Sequence, residues 1–309
     1  MKKNVAKRAL YRAKRIFFKI CNTVHFLISS KKDVLVVNAW MTMYNENPRH
    51  FNLGDELNFY LIKALTSYKI FNYADLYVRH RINFCCIGSI IDSDMLNKDS
   101  IIWGTGAIEG IKKIGFHPRK ICAVRGKLTR EYLISQGIDC PAVYGDPALL
   151  TPLVYNPRVK KKYVMGIIPH YVDMNNPLVT YLQNLLPGRI SVIKMQGYND
   201  WHEVIDEIKQ CNFVVSSSLH GLILADAYQV PNIWVELSDN VTGEGFKFRD
   251  YFSSVDRNDK NPLKVNKSLT IDDIYSKLKS WKKISIDLDK LIQACPFNCS
   301  KFKYSGEFK

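Results

Sequence analysis

FVVSSSLHGLILADAYQVPNIWVE, residues 213–236, reads as an apolar strand over 213–218, a small-residue helix over 221–228 and a second apolar strand over 232–236. Strands that are apolar without alternation fit a parallel sheet covered on both faces, joined through helices. Moving toward the N-terminus, YVMGIIPH (163–170) and ISVIKM (190–195) are further strands, with helices near 177–186 and 201–210. Earlier still, VLVVNA (34–39), FCCIG (84–88), SIIWG (100–104) and KICAVRG (120–126) form a first set, with helices over 56–65 and 128–137. Between the sets lies DPALLTPLVYNPRVKKK, a proline-bearing and basic seam at 146–162. The pattern predicts two Rossmann-like doubly wound α/β domains, 33–155 and 156–260, facing a cleft where ligands bind at strand carboxyl ends.

The formal charge of +15 has to be located before it is interpreted. Residues 1–32 hold ten Lys or Arg and no acid, while residues 260–309 hold eleven against five acids. The body between them is close to neutral, which argues against a nucleic-acid enzyme carrying its basic stripe on the working domain. Written as a helix, residues 1–32 align Val5, Ala9, Ala13, Ile16, Ile20, Val24 and Leu27 in one apolar stripe, with most bases away from it. Such a segment suits the interface of an anionic membrane through residues 1–30 and is too short in uncharged run to span one, with a helix packed on the protein's own body and a signal peptide as the competing readings. Residues 261–309 are expected as a basic helical tail. Eight scattered cysteines, several inside apolar runs, fit a reducing cytosol. The expected location is therefore cytoplasmic, peripheral on the inner face of the cell membrane.

Several strand ends carry chemistry. His220 follows three serines at a strand-to-helix turn, where a helix N-terminus attracts anions and an imidazole can move a proton. Asp55 in NLGDELN is either a helix cap or a functional carboxylate, and Asn52 stands beside it. Gly104 and Gly106 of GTG can admit a phosphate to bare backbone. Arg125 ends a strand where a planar guanidinium suits a carboxylate or phosphate. Lys247 and Arg249 lie in the glycine-rich segment TGEGFKFRDYF, and Asp146 in YGDPALL reads as a turn device. There is no P-loop, no G-x-S-x-G elbow and no HExxH, and Cys295-x3-Cys299 lacks a second ligand pair, so no metal is expected.

NLGDELN, GTG, AVRGKLTREYL, GDPALL, SSLHGLILADAYQVPNIWV and the GxGFKFRDYF segment, in this order, resemble the polysaccharide pyruvyltransferases over roughly residues 34–255. The resemblance implies a fold like the B-type glycosyltransferases. It implies phosphoenolpyruvate as co-substrate, no cofactor, and a sugar of a cell-surface polysaccharide or its lipid-linked precursor as acceptor, of the capsule or exopolysaccharide type. The family's strand-end arginine matches Arg125 and its histidine matches His220, but Ser218 stands where many members carry arginine. On this reading His220 and Asp55 are catalytic. Arg125, Ser217, Ser218, Lys247, Arg249, Gly104 and Gly106 hold the donor, and Asn52 and Glu244 the acceptor. A nucleotide-sugar glycosyltransferase of the same architecture is the alternative, and a silent membrane-docked scaffold a third.

Overall fold

The computed structural model describes residues 2–44, 47–78 and 80–299, with side chains of the first helix at Leu10 and from Arg12 onward. In the first half, β1 (Val34–Val37), a short antiparallel ribbon of β2 (Met43–Tyr44) and β3 (Asn47–Pro48), and helix α2 (Leu53–Leu65) follow helix α1 (Lys2–Ile28). Then come β4 (Lys69–Asn72), β5 (Asn83–Cys85), β6 (Ser100–Trp103), β7 (Lys120–Ala123) and α3 (Lys127–Ser135). The second half runs β8 (Tyr163–Ile168), α4 (Pro177–Asn184), β9 (Ile190–Val192), α5 (Trp201–Gln210), β10 (Cys211–Ser216), α6 (Leu219–Ala227) and β11 (Asn232–Glu236). It finishes with α7 (Phe246–Ser254), β12 (Leu263–Lys264), α8 (Ile271–Leu278) and α9 (Leu288–Gln293).

Two five-stranded sheets result, ordered β4-β1-β5-β6-β7 and β12-β11-β10-β8-β9, and every pairing within them is parallel. Numbered within its own half, each sheet has the order second, first, third, fourth, fifth. The direction of winding therefore reverses between β1 and β5 and again between β8 and β10. Reversals of this kind leave a crevice at the strand carboxyl ends. The halves are not loosely tethered. One apolar core joins Leu57 and Ile62 of α2 to Leu149 and Leu150 of the seam and on to Ile205 of α5 and Leu222 of α6.

Three boundaries differ from the sequence reading. NLGD is not a turn before α2 but its cap and first turn, with Asn52 as the N-cap. TGEGFKFRDYF is a loop only as far as Gly245, whose positive φ of 78° lets the chain turn into α7. The expected tail from 261 instead completes the fold. It supplies β12 to the second sheet and packs Ile274 of α8 into that half's core. Leu291 of α9 is buried, and its carbonyl accepts the indole N–H of Trp103 at 2.8 Å. Residues 300–309 lie outside the described residues.

Helix α1 packs on the body by a narrow seam. Phe18 stacks on Tyr44 with ring centroids 4.1 Å apart, Asn22 donates to the Met43 carbonyl at 3.1 Å, and Phe26 meets Phe71 edge-on. Residues 18, 22 and 26 recur every four positions and so form one face. Ile16, Ile20, Val24 and Leu27 of the expected stripe face outward and stay exposed, with Leu10, Phe17 and Ile28 beside them. Val5 and Ala9 of that stripe lie outside the described side chains. No helix among the described residues is long and apolar enough to cross a membrane.

Candidate active site

The loops after β1, β5, β8 and β10, the strands that flank the two reversals, border one cavity of about 440 Å³. Asn52 and Asp55 at the start of α2, Gly88 and Ser89 after β5, and His170 after β8 line it. Ser218 and His220 at the start of α6 and Lys247 of α7 complete its polar wall.

Asn52 accepts from the Gly54 N–H at 3.2 Å, as a helix cap should, and its amide donates to Asp55 Oδ2 at 2.7 Å. The capping task is thus taken, and Asp55 is left to face the cavity. Removal from bulk water pushes its pKa from the ordinary 3.8 up to about 7, against the opposing pull of the Asn52 bond and of Lys247. Lys247 moves the other way, down to about 8, through desolvation and the positive charge of Arg125. It remains a cation at neutral pH.

His220 sits in the first turn of α6, against the first turn of α2. A Cβ at residue 54 would stand 2.1 Å from His220 Nδ1, so Gly54 is glycine to admit the imidazole. Burial, then the charges of Arg125 and Lys247, lower His220 to about 3, which leaves it neutral near pH 7. Its Nε2 lies 3.8 Å from Asp146 Oδ2. Both atoms are buried, and neither has a hydrogen-bond partner among the described residues. Asp146 does cap a 3-10 turn, accepting from the Ala148 N–H at 2.9 Å with Oδ1, as the sequence suggests. Its second oxygen faces the histidine, a relation no local pattern encodes because the two residues come from different halves. Burial raises Asp146 to about 7. A carboxyl that keeps its proton that far up, opposite a neutral imidazole nitrogen, can share or pass that proton. His170 is a further cavity residue that the sequence reading left inside a strand; burial lowers it to about 4. Its signal was a histidine at a strand's carboxyl end.

Other expected donor residues are placed differently. Arg125 is fully buried and its donors are engaged within the protein. Nε bonds Asp250 Oδ2 at 2.9 Å, Nη2 bonds the Ala107 carbonyl at 2.6 Å, and Nη1 bonds the Ser89 hydroxyl. This corrects the direct clamp: the guanidinium buttresses the cavity wall through Ser89 and acts on the site through its charge. The phosphate cradle at GTG is likewise corrected. The Gly104 and Gly106 N–H groups donate to the Ala123 and Gly88 carbonyls at 2.9 and 3.1 Å. A Cβ at 104 would strike Pro147 at 2.2 Å and one at 106 the Arg125 guanidinium at 2.4 Å, so these glycines serve close packing. Ser217 is tied to Asp173 Oδ2 at 2.9 Å and accepts from the His170 N–H. Glu244 and Arg249 line a second cavity of about 620 Å³, which Ser217 also borders and which adjoins the first at Thr242. The cavity thus brings together Asn52, Asp55, Ser218, His220 and Lys247 and excludes the rest.

The family model described as polysaccharide pyruvyl transferase matches residues 52–239, which include every one of these except Lys247. An uncharacterized protein, L143, of Acanthamoeba polyphaga mimivirus is 31% identical over 208 residues, covering 65% of this chain and 70% of its own. The succinoglycan biosynthesis protein ExoV of Rhizobium meliloti is 25% identical over 216 residues, covering 68% of this chain and 64% of its own, so the match spans less than two thirds of that relative. No solved structure matches. The match over more than half of its length shows that the chain belongs to the polysaccharide pyruvyl transferase family.

Proposed function

We propose that the chain transfers the pyruvyl group of phosphoenolpyruvate to two hydroxyls of one sugar in a cell-surface polysaccharide or its lipid-linked precursor, forming a pyruvate ketal. The observation that carries this is the pairing, in one cavity, of an anion site with a proton donor. Lys247 and the N-terminus of α6 at Ser218 suit the donor's phosphate and carboxylate. Asp55, raised to about 7, is a carboxylic acid able to release a proton near neutral pH.

The chemistry then divides among the residues. Asp55 protonates the methylene carbon, which becomes the ketal methyl group. The first sugar hydroxyl attacks the adjacent cationic carbon and gives up its proton to His220, backed by Asp146. The C–O bond to phosphate breaks, phosphate leaves with the electron pair, and Lys247 stabilises its charge. The second hydroxyl attacks the same carbon and gives its proton to the Asp55 carboxylate left by the first step, while His220 passes the other to the departing phosphate, so one proton enters at carbon, two leave from oxygen and the surplus departs on phosphate. We read the two parallel sheets about a cleft as a fold of the B-type glycosyltransferase kind. We place the protein in the cytoplasm, held to the inner face of the membrane by the exposed stripe of α1. Incubating the chain with phosphoenolpyruvate and a polysaccharide repeat unit should release one inorganic phosphate per acid-labile ketal formed. Phosphate release without a ketal, or a ketal from another donor, would contradict the reading.

A further inference from the structure

Three large aromatic side chains stand bare around the mouth of the active cavity. Trp40 after β1 is 57% exposed, Phe51 before α2 is 43% exposed and Tyr171 after β8 is 56% exposed, and all three line the cavity. Single exposed aromatics are ordinary, but three about one opening, contributed by both halves, are not scattered.

Their backbones are fixed although their rings are not covered. The Phe51 N–H donates to Glu56 Oε1 at 3.0 Å, and the next two residues are tied by the Asn52 cap and by the Leu53 N–H on the Met195 carbonyl at 2.8 Å. Tyr171 opens a short turn whose preceding residue, His170, donates its N–H to Ser217 and whose Asp173 binds Ser217 and Ser238. Trp40 is bracketed by the Ala39 N–H on Asn72 Oδ1 at 3.3 Å and the Met41 N–H on the Ala39 carbonyl at 2.7 Å. Rigid backbones bearing exposed faces form a preorganised platform.

We infer that Trp40, Phe51 and Tyr171 form the acceptor subsite, stacking on the apolar C–H face of a pyranose while Asn52 and Gln196 meet its hydroxyl edge. The inference deepens the proposed function and rests on it. A pyranose offers one C–H face to a ring and a rim of hydroxyls to polar groups, and the mouth of this cavity presents both. A sugar held there directs two neighbouring hydroxyls inward, toward Asp55 and His220. A compact anion such as phosphoenolpyruvate has no use for three aromatic faces, so the donor belongs to the charged floor.

Trp40 also supplies the readout, because the remaining four tryptophans are buried or half-buried. Methyl pyranosides of gluco, galacto, manno and N-acetylglucosamine configuration are titrated into the full chain while indole emission is followed. At least one should shift the emission saturably, and Trp40→Phe should abolish the shift. Trp40→Ala and Tyr171→Ala should each raise its apparent KM by about tenfold, the scale of a lost stacking contact with its buried area. Both variants should melt at the parent temperature and keep the parent's rise in melting temperature with phosphoenolpyruvate. The inference is overturned if no glycoside shifts the emission, if the shift survives in Trp40→Phe, or if both alanine variants keep the parent KM. Failure of phosphoenolpyruvate to stabilise the parent would instead count against the proposed function, and the glycoside arm reads independently of it.

Discussion

His220 and Asp146 show what a single residue's chemistry owes to the other half of the chain. His220→Ala should lower kcat by about 10²-fold with the fold retained, the scale of a lost general base. Asp146→Asn keeps the cap oxygen but cannot hold the shared proton, so kcat should fall by about tenfold while donor KM stays put. Equal rates for Asp146→Asn and the parent would remove Asp146 from the relay. Asp55 makes a second prediction through linkage. Its folded pKa, about 7, lies above the ordinary 3.8, so its contribution is fully present below about pH 4 and is lost as pH rises through about 7. His220 has the opposite sign: lowered to about 3, it costs stability as pH falls below 6.5. Asp55→Asn removes only the first effect. It should melt above the parent at pH 8, where the parent's carboxylate is charged in a dry site, and by much less at pH 4.5. A gain at pH 4.5 as large as at pH 8 would place the cause elsewhere. Asp55, His220, Ser218 and Lys247 were legible because each sits at a strand end or helix start. Asp146 was only half legible, since its capping oxygen leaves a local pattern and its other oxygen does not.

At the scale of elements, the hydrophobic period located the long helices and the apolar strands. It passed over β4, whose residues in YKIFNY mix Lys, Asn and Tyr, and β12, two residues long. Neither has an apolar run of its own; each is a strand because a neighbour in the sheet supplies its hydrogen bonds. Helix α1 was legible as a stripe, but a different face, Phe18, Asn22 and Phe26, attaches it to the body. Deleting the helix would therefore bare Tyr44 and Phe71 and confuse docking with folding. Replacing Ile16, Ile20 and Val24 by serine leaves the seam intact. This variant should lose salt-sensitive pelleting with anionic vesicles and keep the parent's melting temperature. Pelleting equal to the parent's would show that the stripe does not face lipid.

The whole molecule is held together at the point where Arg125 meets Asp250. Asp250 of α7 accepts from Arg125 Nε, from the Thr129 N–H at 2.7 Å and from the Thr129 hydroxyl, so the helix that carries Lys247 is anchored on α3 of the first half. Gly126 allows the approach, for a Cβ there would lie 1.8 Å from the Asp250 carbonyl oxygen. Breaking a buried pair of this kind strands the remaining charge and costs about 3–5 kcal/mol. Asp250→Ala should therefore lower the denaturation midpoint steeply, and Arg125→Lys should act first on stability and only through it on donor KM. A pure KM effect from Arg125→Lys at parent stability would return that residue to the donor. The doubling of one strand order in both sheets was legible as a rhythm of strands and helices. The cleft between the halves was legible with it; the full set of residues lining the cavity was not, because it depends on which loops of the two halves meet. What that cavity binds is the central claim, and ligand-dependent melting of the full chain tests it most directly. Phosphoenolpyruvate should raise the melting temperature, and uridine, guanosine and cytidine nucleotide sugars should leave it unchanged. Stabilisation by a nucleotide sugar and none by phosphoenolpyruvate would contradict the account and make the chain a glycosyltransferase of the same architecture.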